Sequence, residues 1–485
     1  MHRKTKIVAT IGPASASPEV FSEMLHAGLD VARLNFSHGT AEDHRRSAHM
    51  IREMSARAGR EVAIMADLQG PKIRVGQFVE GRVTLNPGAP FVLCGYGVAG
   101  STERVSLDYP ELVDEVAHGD VLVLNDGAIV LDVQSVKDKQ IHTTVRVGGE
   151  LSNNKGINRQ GGGLSAPALT PKDIRDLEVA LELGADLIAV SFPKAASDMQ
   201  QARALVEKFC KRAAARPKLI AKIERAEAIP ALQAIIEASD GIMVARGDLG
   251  VEVGIAAVPA LQKMMIKMAR AANRLTITAT QMMESMVTHS IPTRAEVSDV
   301  ANAVLDGSDA VMLSAESATG RYPVQTIAAM AAICEEAIKL RIGLPDSELL
   351  ARDLDKIDEA TAVSAVFAAY RLRASAIIAL TESGAAPLWM SRHTSSIPIY
   401  GLTRSVSTAR WMALFQNVEP IVADAWRHHD EVIAGVEELL IRRGVVKPGD
   451  LLVVTSGKPM APPGGTNSLQ IVKVGEHAPV NSSHR

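Results

Sequence analysis

Two short stretches, Leu219-Ile220-Ala221-Lys222-Ile223-Glu224 and Ile242-Met243-Val244-Ala245-Arg246-Gly247-Asp248, decide the fold of this chain. Each begins with an apolar run that is typical of a buried parallel strand, and each ends abruptly in charged residues. Burying an ion is costly unless it is paired or bound to a metal, so these charges need a partner, a ligand or a solvated setting. For either stretch alone, a solvated strand end in a loop is an equally good interpretation.

Similar apolar runs recur along the chain. Eight of them have the length of a strand: 6–11, 29–34, 62–66, 187–190, 219–223, 241–245, 275–278 and 310–313. Most are separated by segments with helical periodicity and helix-end residues, namely 17–28, 40–59, 170–184, 197–216, 226–238, 258–273, 294–306 and 322–339. Eight alternating strand and helix units predict an α/β protein built on a (β/α)8 TIM barrel.

Two further domains are predicted. Residues 70–166 alternate apolar and polar side chains between glycine and proline clusters, which indicates a small β-barrel domain inserted after the third strand as a lid. The barrel then comprises residues 1–69 and 167–344. Beyond a linker at 345–346, a helix at 358–372 and strands at 375–380, 398–400, 418–422, 451–454 and 469–474 predict a C-terminal open α/β sheet domain over 345–485.

The composition excludes some classes of partner. The chain has 52 basic and 55 acidic residues, a net charge of −3, so it has no electrostatic footprint for nucleic acid or an anionic membrane. No apolar run approaches the length of a membrane span. The isolated cysteines at 94, 210 and 334 form neither a zinc motif nor a disulfide framework, which favours a cytoplasmic location.

The predicted barrel gathers chemistry on one face, because the carboxyl ends of all its strands converge there. Polar residues follow six of the eight strands, which favours a shared site over chance exposure. They are Arg33, Asn35, Ser37 and His38; Asp67, Lys72 and Arg74; Lys222 and Glu224; Arg246 and Asp248; Thr280 and Gln281; and Ser314 and Glu316.

The types of residue at these ends point to phosphoryl transfer. Glu224 and Asp248, from adjacent strands, can hold a hard divalent cation, with Mg²⁺ preferred and Mn²⁺ possible. The amides of Gly247 and Asp248 open a helical turn that can receive a carboxylate. A surrounding cationic group suits a small, multiply anionic substrate and a phosphoryl group in transfer; its members are Arg33, Lys72, Arg74 and Lys222.

The sequence resembles the pyruvate kinase family over nearly its whole length. The segment Ile220-Ala221-Lys222-Ile223-Glu224-Arg225-Ala226-Glu227-Ala228-Ile229 is similar to the family's signature. Five other segments also resemble motifs of the family and occur in the same order along the chain: Asn35-Phe36-Ser37-His38-Gly39, Ala245-Arg246-Gly247-Asp248-Leu249-Gly250, Ala279-Thr280-Gln281-Met282, Pro292-Thr293-Arg294-Ala295-Glu296 and Leu313-Ser314-Ala315-Glu316. The inserted lid and the C-terminal domain also match the family's architecture.

The resemblance implies a phosphotransferase that converts phosphoenolpyruvate and ADP to pyruvate and ATP, the last step of glycolysis. It implies that Glu224 and Asp248 hold Mg²⁺ and that Arg33 and Lys222 contact the transferring phosphoryl group. The predicted site has further members: Gly247, Asp248 and Thr280 for substrate; Thr280, Ser314 and Glu316 for protonation of enolpyruvate; Asn35, His38, Arg74 and Lys155 for the nucleotide; and Asp126, reaching down from the closed lid.

The chain departs from the family pattern in two places. Many members bind a monovalent cation beside the substrate, near a carboxylate, but Leu68 offers no side-chain oxygen and Lys72 carries its own charge. We hypothesise that Lys72 replaces that cation in the region of Asn35, Ser37 and Asp67, as in bacterial members with this lysine, so that K⁺ is not required. The second departure, residues 158–163, leaves the closing contacts of the lid open.

The C-terminal domain suggests regulation. The turn Thr381-Glu382-Ser383-Gly384 follows a strand and precedes a helix, so its amides either cradle a phosphate or form an ordinary capped turn. Arg404 and residues 457–467 can complete such a site. The resemblance implies a phosphorylated allosteric effector and a homotetramer.

Two other functions compete with this interpretation. A Mg²⁺-dependent TIM-barrel aldolase or lyase acting on small oxo acids could use the same carboxylates, but Glu224 favours a charged Lys222 over the neutral amine of a Schiff base. A non-catalytic, effector-sensing homologue would be expected to lose strand-end groups, and the decisive ones are all present.

Overall fold

The first part of the barrel follows the predicted alternation. The computed structural model describes residues 3–213, 216–340, 353–393, 395–423, 429–457 and 465–476. Its first elements are β1 (Lys6–Thr10), α1 (Pro18–Ala27), β2 (Val31–Asn35), α2 (Ala41–Arg57) and β3 (Ala63–Asp67). Ser17 accepts a hydrogen bond from the Val20 amide at the start of α1, and Thr40 forms a capping box with Asp43 at the start of α2.

The inserted lid is built almost entirely of strands. They are β4 (Arg82–Leu85), β5 (Pro90–Cys94), β6 (Arg104–Ser106), β7 (Val121–Leu124), β8 (Ile129–Lys137), β9 (Gln140–Val147), β10 (Gly149–Ser152) and β11 (Ile157–Arg159), with the short helix α3 (Leu112–Glu115) between β6 and β7. Hydrogen bonds join them into a six-stranded sheet, β11-β7-β8-β9-β5-β6, and a two-stranded sheet, β10-β4. Both sheets contribute to one apolar core.

The second part completes a closed parallel barrel. Its elements are α4 (Pro171–Glu182), β12 (Leu187–Val190), α5 (Ala196–Phe209), β13 (Lys218–Ile223), α6 (Leu232–Ala238), β14 (Gly241–Ala245), α7 (Arg246–Val253), α8 (Val258–Ala271), β15 (Leu275–Ala279), α9 (Arg294–Asp306), β16 (Ala310–Leu313), α10 (Ala315–Ala318) and α11 (Pro323–Lys339). The strand order β1-β16-β15-β14-β13-β12-β3-β2 confirms the predicted TIM barrel.

Two predicted helices are shorter than expected. The helix over 226–238 is a 3-10 turn, Ala226–Ala228, followed by α6, because Pro230 has no amide proton to continue the helical hydrogen bonds. The helix over 197–216 ends at Phe209, where Cys210 is extended and its carbonyl accepts from Arg216 Nε at 3.3 Å.

The C-terminal domain is an open α/β sheet, as predicted. Its elements are α12 (Ile357–Leu372), β17 (Ala376–Leu380), α13 (Ala385–Ser391), β18 (Ile399–Thr403), α14 (Val406–Met412), β19 (Val418–Val422), α15 (His429–Arg442), β20 (Leu451–Gly457) and β21 (Thr466–Lys473). The strand order is β19-β18-β17-β20-β21, and only the pairing of β20 with β21 is antiparallel. The predicted linker at 345–346 lies outside the described residues.

This domain packs against the amino ends of the barrel strands. Arg392 forms a buried ion pair with Asp309, which precedes β16, and the Asn417 amide donates to the Lys4 carbonyl at 2.8 Å, just before β1. The carboxyl ends of the strands, where the predicted chemistry lies, are therefore at the opposite end of the barrel.

No single helix of the described ranges is long and apolar enough to cross a membrane. The helices α7 and α8 reach that length only when they are counted together across a bend of 117°. Cys94, Cys210 and Cys334 are all free thiols.

Candidate active site

Asp67, the last residue of β3, lies at the centre of the site. Its side chain is 1% exposed and accepts from Arg33 Nε at 2.7 Å, while Lys222 Nζ lies 3.1 Å from its other oxygen. Burial alone would raise the pKa of Asp67, but the charges of Lys222 and Arg33 outweigh burial and lower it. The carboxylate therefore stays ionised and holds two cations side by side.

Lys222, near the end of β13, has an acceptor for each of its three ammonium protons. Nζ lies 2.9 Å from Glu224 Oε1, 3.1 Å from Asp67 Oδ1 and 2.7 Å from Ser191 Oγ. Burial alone would lower the pKa of Lys222, but the charges of Asp67 and Glu224 outweigh burial and raise it. The charged ammonium is poorly suited to forming a Schiff base.

Glu224 and Asp248 come from adjacent strands, since β13 pairs in parallel with β14. Burial raises the pKa of Glu224, and the charge of Asp248 adds to this effect although Lys222 opposes it. A cation between the two carboxylates would relieve their repulsion. No cluster of three or more His, Cys, Asp or Glu in the described part of the chain could hold a metal. Two carboxylates suit an ion such as Mg²⁺, which keeps positions for water and substrate oxygens.

Lys72 reaches this pair from the first linker to the lid. Its Nζ lies 3.0 Å from Asp248 Oδ1. Burial would lower the pKa of Lys72, but the charges of Asp248 and then Asp126 outweigh burial and raise it. The positive charge of Lys72 thus faces the candidate metal site, whereas Asp67 is already balanced by Arg33 and Lys222.

The end of β15 turns sharply beside α7. Thr280 and Gln281 have left-handed backbones, with φ of 69° and 53°. Thr280 Oγ1 accepts the Gly247 amide at 2.8 Å and donates to the Ala279 carbonyl at 2.7 Å. Arg246 stabilises the turn, because its Nη2 donates a hydrogen bond to the Thr280 carbonyl at 2.7 Å. The Gly247 amide, predicted to receive a carboxylate, is therefore hydrogen-bonded within the protein.

Glu316 lies behind this turn and is fully buried. Its two oxygens accept the amides of Ser314, at 2.7 Å, and Met283, at 3.2 Å. One carboxylate therefore joins the segments that follow β15 and β16.

The residues predicted to bind the nucleotide lie on two neighbouring segments. Asn35 Oδ1 accepts the Ser37 amide at 3.1 Å, and His38 is exposed beside them. Burial, and then the charges of Arg74, Arg33 and Lys72, lower the pKa of His38. Arg74 Nη1 donates to the Asn154 carbonyl at 3.1 Å, next to Lys155. Asp126 lies in a lid turn, Asn125–Gly127, that contacts α7.

Three residues of the site were missed in the sequence. Thr10 Oγ1, at the end of β1, accepts from Arg33 Nη1 at 2.7 Å. Ser191 contacts Lys222, and the Phe192 amide donates to Glu224 Oε2 at 3.0 Å. Thr10 falls inside the strand predicted at 6–11 and Ser191 directly follows the strand predicted at 187–190, but neither neutral hydroxyl is distinguishable in the sequence from an ordinary strand-end residue.

The return linker from the lid is held by one backbone carbonyl and one carboxylate. Gly161, Gly162 and Gly163 all have left-handed backbones, with φ of 84°, 77° and 91°. The Gly161 amide donates to the Glu252 carbonyl at 3.0 Å, and the Gly163 amide donates to the Glu227 side chain. The second departure from the family pattern therefore ends in three glycines whose backbone conformations suit glycine.

Glu252, whose backbone carbonyl holds Gly161, also has a buried side chain with a raised pKa. Its side chain accepts the Ala226 amide at 2.7 Å, and burial, followed by the charge of Glu227, raises its pKa from 4.5 to about 7. The folded state then binds the proton more tightly than the unfolded state, so this contribution to stability is full below pH 4.5 and is lost as the pH rises through about 7. We expect Glu252→Gln to flatten the pH dependence of the unfolding free energy by up to roughly 3 kcal/mol between pH 5 and 8.

Denaturant unfolding at several pH values measures this effect. Glu23→Gln, at an exposed position of α1, is the control and should keep the wild-type slope. An unchanged slope for Glu252→Gln would contradict the prediction.

Comparison with known proteins agrees with this geometry. Residues 2–327 match the pyruvate kinase barrel domain, and residues 359–472 match the pyruvate kinase alpha/beta domain. The chain is 48% identical to pyruvate kinase II of Salmonella typhimurium over 481 residues, covering 97% of this chain and 99% of that protein. It is 45% identical to the pyruvate kinase of Haemophilus influenzae (94% and 96% covered) and 42% identical to that of Geobacillus stearothermophilus (97% and 80% covered). The chain belongs to the pyruvate kinase family.

Proposed function

We infer that this chain transfers the phosphoryl group of phosphoenolpyruvate to ADP and yields pyruvate and ATP. The main structural support for this function is the buried carboxylate of Asp67. It holds the guanidinium of Arg33 and the ammonium of Lys222 side by side at the carboxyl end of the barrel. Pyruvate formation from phosphoenolpyruvate, ADP and Mg²⁺ tests the function directly. Purified protein that forms no pyruvate under these conditions would contradict it.

Arg33 and Lys222 are assigned to the phosphoryl group in transfer. Such a group carries its charge on equatorial oxygens in the transition state, and fixed cations stabilise that charge without having to reorganise. Asp67 and Thr10 orient the guanidinium of Arg33, and Asp67 also keeps the ammonium of Lys222 charged.

Glu224 and Asp248 are the residues that would hold Mg²⁺. When bound, this ion supplies further charge stabilisation and a template for substrate oxygens. The fixed orientation of Glu224, held through the Phe192 amide, supports its assignment as a ligand.

Thr280 is assigned to the protonation of enolpyruvate. Its hydroxyl lies between the Gly247 amide and the Ala279 carbonyl, and Ser314 and Glu316 brace the loop from behind. Gly247, Asp248 and Thr280 also form the proposed substrate surface. The nucleotide is proposed to bind to Asn35, His38, Arg74 and Lys155. Asp126 is proposed to reach the site from the lid when the lid closes.

We expect activity without added K⁺, because Lys72 carries a fixed charge at the site and Leu68 has no side-chain oxygen to offer the ion. Removing the charge in Lys72→Met should lower kcat by between tenfold and about a thousandfold, since a charge about 4 Å away contributes up to roughly 4 kcal/mol at an effective dielectric of about 20. Added K⁺ should restore part of the loss.

Assays at saturating Mg²⁺, with tetramethylammonium in place of K⁺, measure this. Lys137→Met, on the exposed face of the lid, is the matched control. A strong K⁺ requirement in the wild type would refute the role given to Lys72.

A phosphorylated small molecule is proposed as allosteric effector at the turn 381–384. The Gly384 amide donates to Thr381 Oγ1 at 2.9 Å, and Glu382 accepts from Arg404 Nε at 2.8 Å, so polar groups of the turn already have partners within the protein. An anion bound at this turn would have to replace Glu382 as the hydrogen-bond acceptor of Arg404. Most of the loop 457–467 lies outside the described residues. If Arg404→Ala kept a full response to a phosphorylated activator, this site would be refuted.

A homotetramer in the cytoplasm is also proposed. The tetramer follows from the family resemblance. The free thiols favour a reducing compartment. A monomeric mass in light scattering would refute the tetramer.

A further inference from the structure

The end of β12 forms a two-residue elbow, Ser191-Phe192, that was not assigned to any chemistry. Ser191 is 1% exposed, and its Oγ lies 2.7 Å from Lys222 Nζ and 2.7 Å from the Leu68 carbonyl. An ammonium can only donate, so the hydroxyl accepts from Lys222 and its own proton goes to Leu68. The hydrogen bonds thus run in one direction from β13 through Ser191 to the segment after β3.

Phe192 connects the same elbow to Glu224. Its backbone is left-handed, with φ of 56°, an uncommon conformation for a side chain of this size. In this conformation its amide donates to Glu224 Oε2 at 3.0 Å. Strain of this kind persists only where the surroundings enforce it.

The surroundings hold the elbow from two sides. A Cβ added to Gly70 would lie 2.8 Å from Ser191 Cβ and 2.9 Å from Phe192 Cδ2, so the linker to the lid packs directly on the elbow. On the other side, the Arg225 guanidinium lies 5.5 Å from the centre of the Phe192 ring. The elbow is therefore a fixed reference point between β3 and β13.

The three acceptors around Lys222 differ in kind. Asp67 and Glu224 are carboxylates that attract the ammonium and raise its pKa. Ser191 is neutral and sets the direction of the third N–H bond without adding charge. Without it, Lys222 would be drawn toward the two carboxylates alone.

We propose that Ser191 is a positioning residue for Lys222, and that the Ser191-Phe192 elbow fixes the ammonium relative to the carboxylate of Glu224. This inference rests on the phosphoryl-transfer role proposed for Lys222. The hydroxyl acts through Lys222 and makes no contact with substrate.

Ser191→Ala is expected to lower kcat roughly 10- to 100-fold, because a small misplacement of a catalytic group costs about that much. The KM for ADP should change little. The affinity for Mn²⁺, measured by titration without substrates, should also stay close to wild type, because the Phe192 amide still orients Glu224. Ser191→Cys, a near-isosteric change to a weaker acceptor, should fall between wild type and Ser191→Ala.

Ser239→Ala is the matched control, because Ser239 is also 1% exposed and donates to a backbone carbonyl, that of Ile235, at 2.7 Å. It precedes β14 and so lies at the end of the barrel away from the site. It should lose a similar buried hydrogen bond without losing kcat.

A double-mutant cycle with Lys222→Met separates the two proposals. If Ser191 acts through Lys222, adding Ser191→Ala to Lys222→Met should cause little further loss. Full additivity, an unchanged kcat in Ser191→Ala, or a fall in Mn²⁺ affinity that parallels the loss of kcat would each overturn the positioning role. An active Lys222→Met variant would instead refute the role given to Lys222.

Discussion

Replacing Lys222 by methionine is expected to lower kcat about a thousandfold, because a charge about 4 Å from the phosphoryl oxygens contributes roughly 4 kcal/mol at an effective dielectric of about 20. The loss should appear mainly in kcat, since charge accumulates on those oxygens chiefly in the transition state. Lys222 is well placed for this effect, because Asp67, Glu224 and Ser191 fix its ammonium in a buried setting.

Steady-state measurement of pyruvate formation tests this prediction. Lys218→Met is the matched control: Lys218 lies on the same strand at its opposite end, with its ammonium 5.7 Å from the Trp411 ring centre. It should keep the wild-type kcat. If Lys222→Met also kept most of its activity, the electrostatic role would be wrong.

Replacing Arg392 by methionine is expected to destabilise the folded chain by about 3–5 kcal/mol, because it leaves the buried carboxylate of Asp309 without its cation. The two side chains are 1% and 0% exposed, and Arg392 Nη1 lies 3.1 Å from Asp309 Oδ2. Arg392 also donates to the Arg274 carbonyl at 3.1 Å, so it joins the C-terminal domain to the barrel in two ways.

Urea unfolding measures this loss. Arg82→Met, which breaks an ion pair with Glu150 whose side chains are 68% and 59% exposed, should cost no more than about 1 kcal/mol. The double variant Arg392→Met with Asp309→Asn should recover part of the stability, because it removes the unpaired charge. Equal effects of Arg392→Met and Arg82→Met would contradict the prediction.

Most of the fold could be predicted from the sequence, and particular elements show why. Strands predicted at 187–190, 241–245 and 310–313 have those bounds in the structure, because each is a buried apolar run that ends at polar or turn residues. The strand at 418–422 also has its predicted bounds, although it is only partly buried. Helix α9 also has its predicted bounds, because Thr293 and Glu296 form a capping box at its start and Gly307 ends it in a left-handed conformation. The helices around Pro230 and Cys210 were predicted too long. The apolar periodicity continues past both residues, but the backbone leaves the α-helical hydrogen-bonding pattern there.

The sequence by itself determined the barrel, its two added domains and the set of charged residues at the strand ends, because apolar periodicity and ionised side chains leave strong local signals. Tertiary structure alone decided the pairing: Asp67 is shared by Arg33 and Lys222, and Lys72 lies against Asp248. It also brought in Thr10 and Ser191, whose neutral hydroxyls resemble ordinary loop residues in a sequence. Closure of the barrel makes neighbours of residues far apart in the chain, and only then do charge and hydrogen-bond geometry select the partner of each side chain.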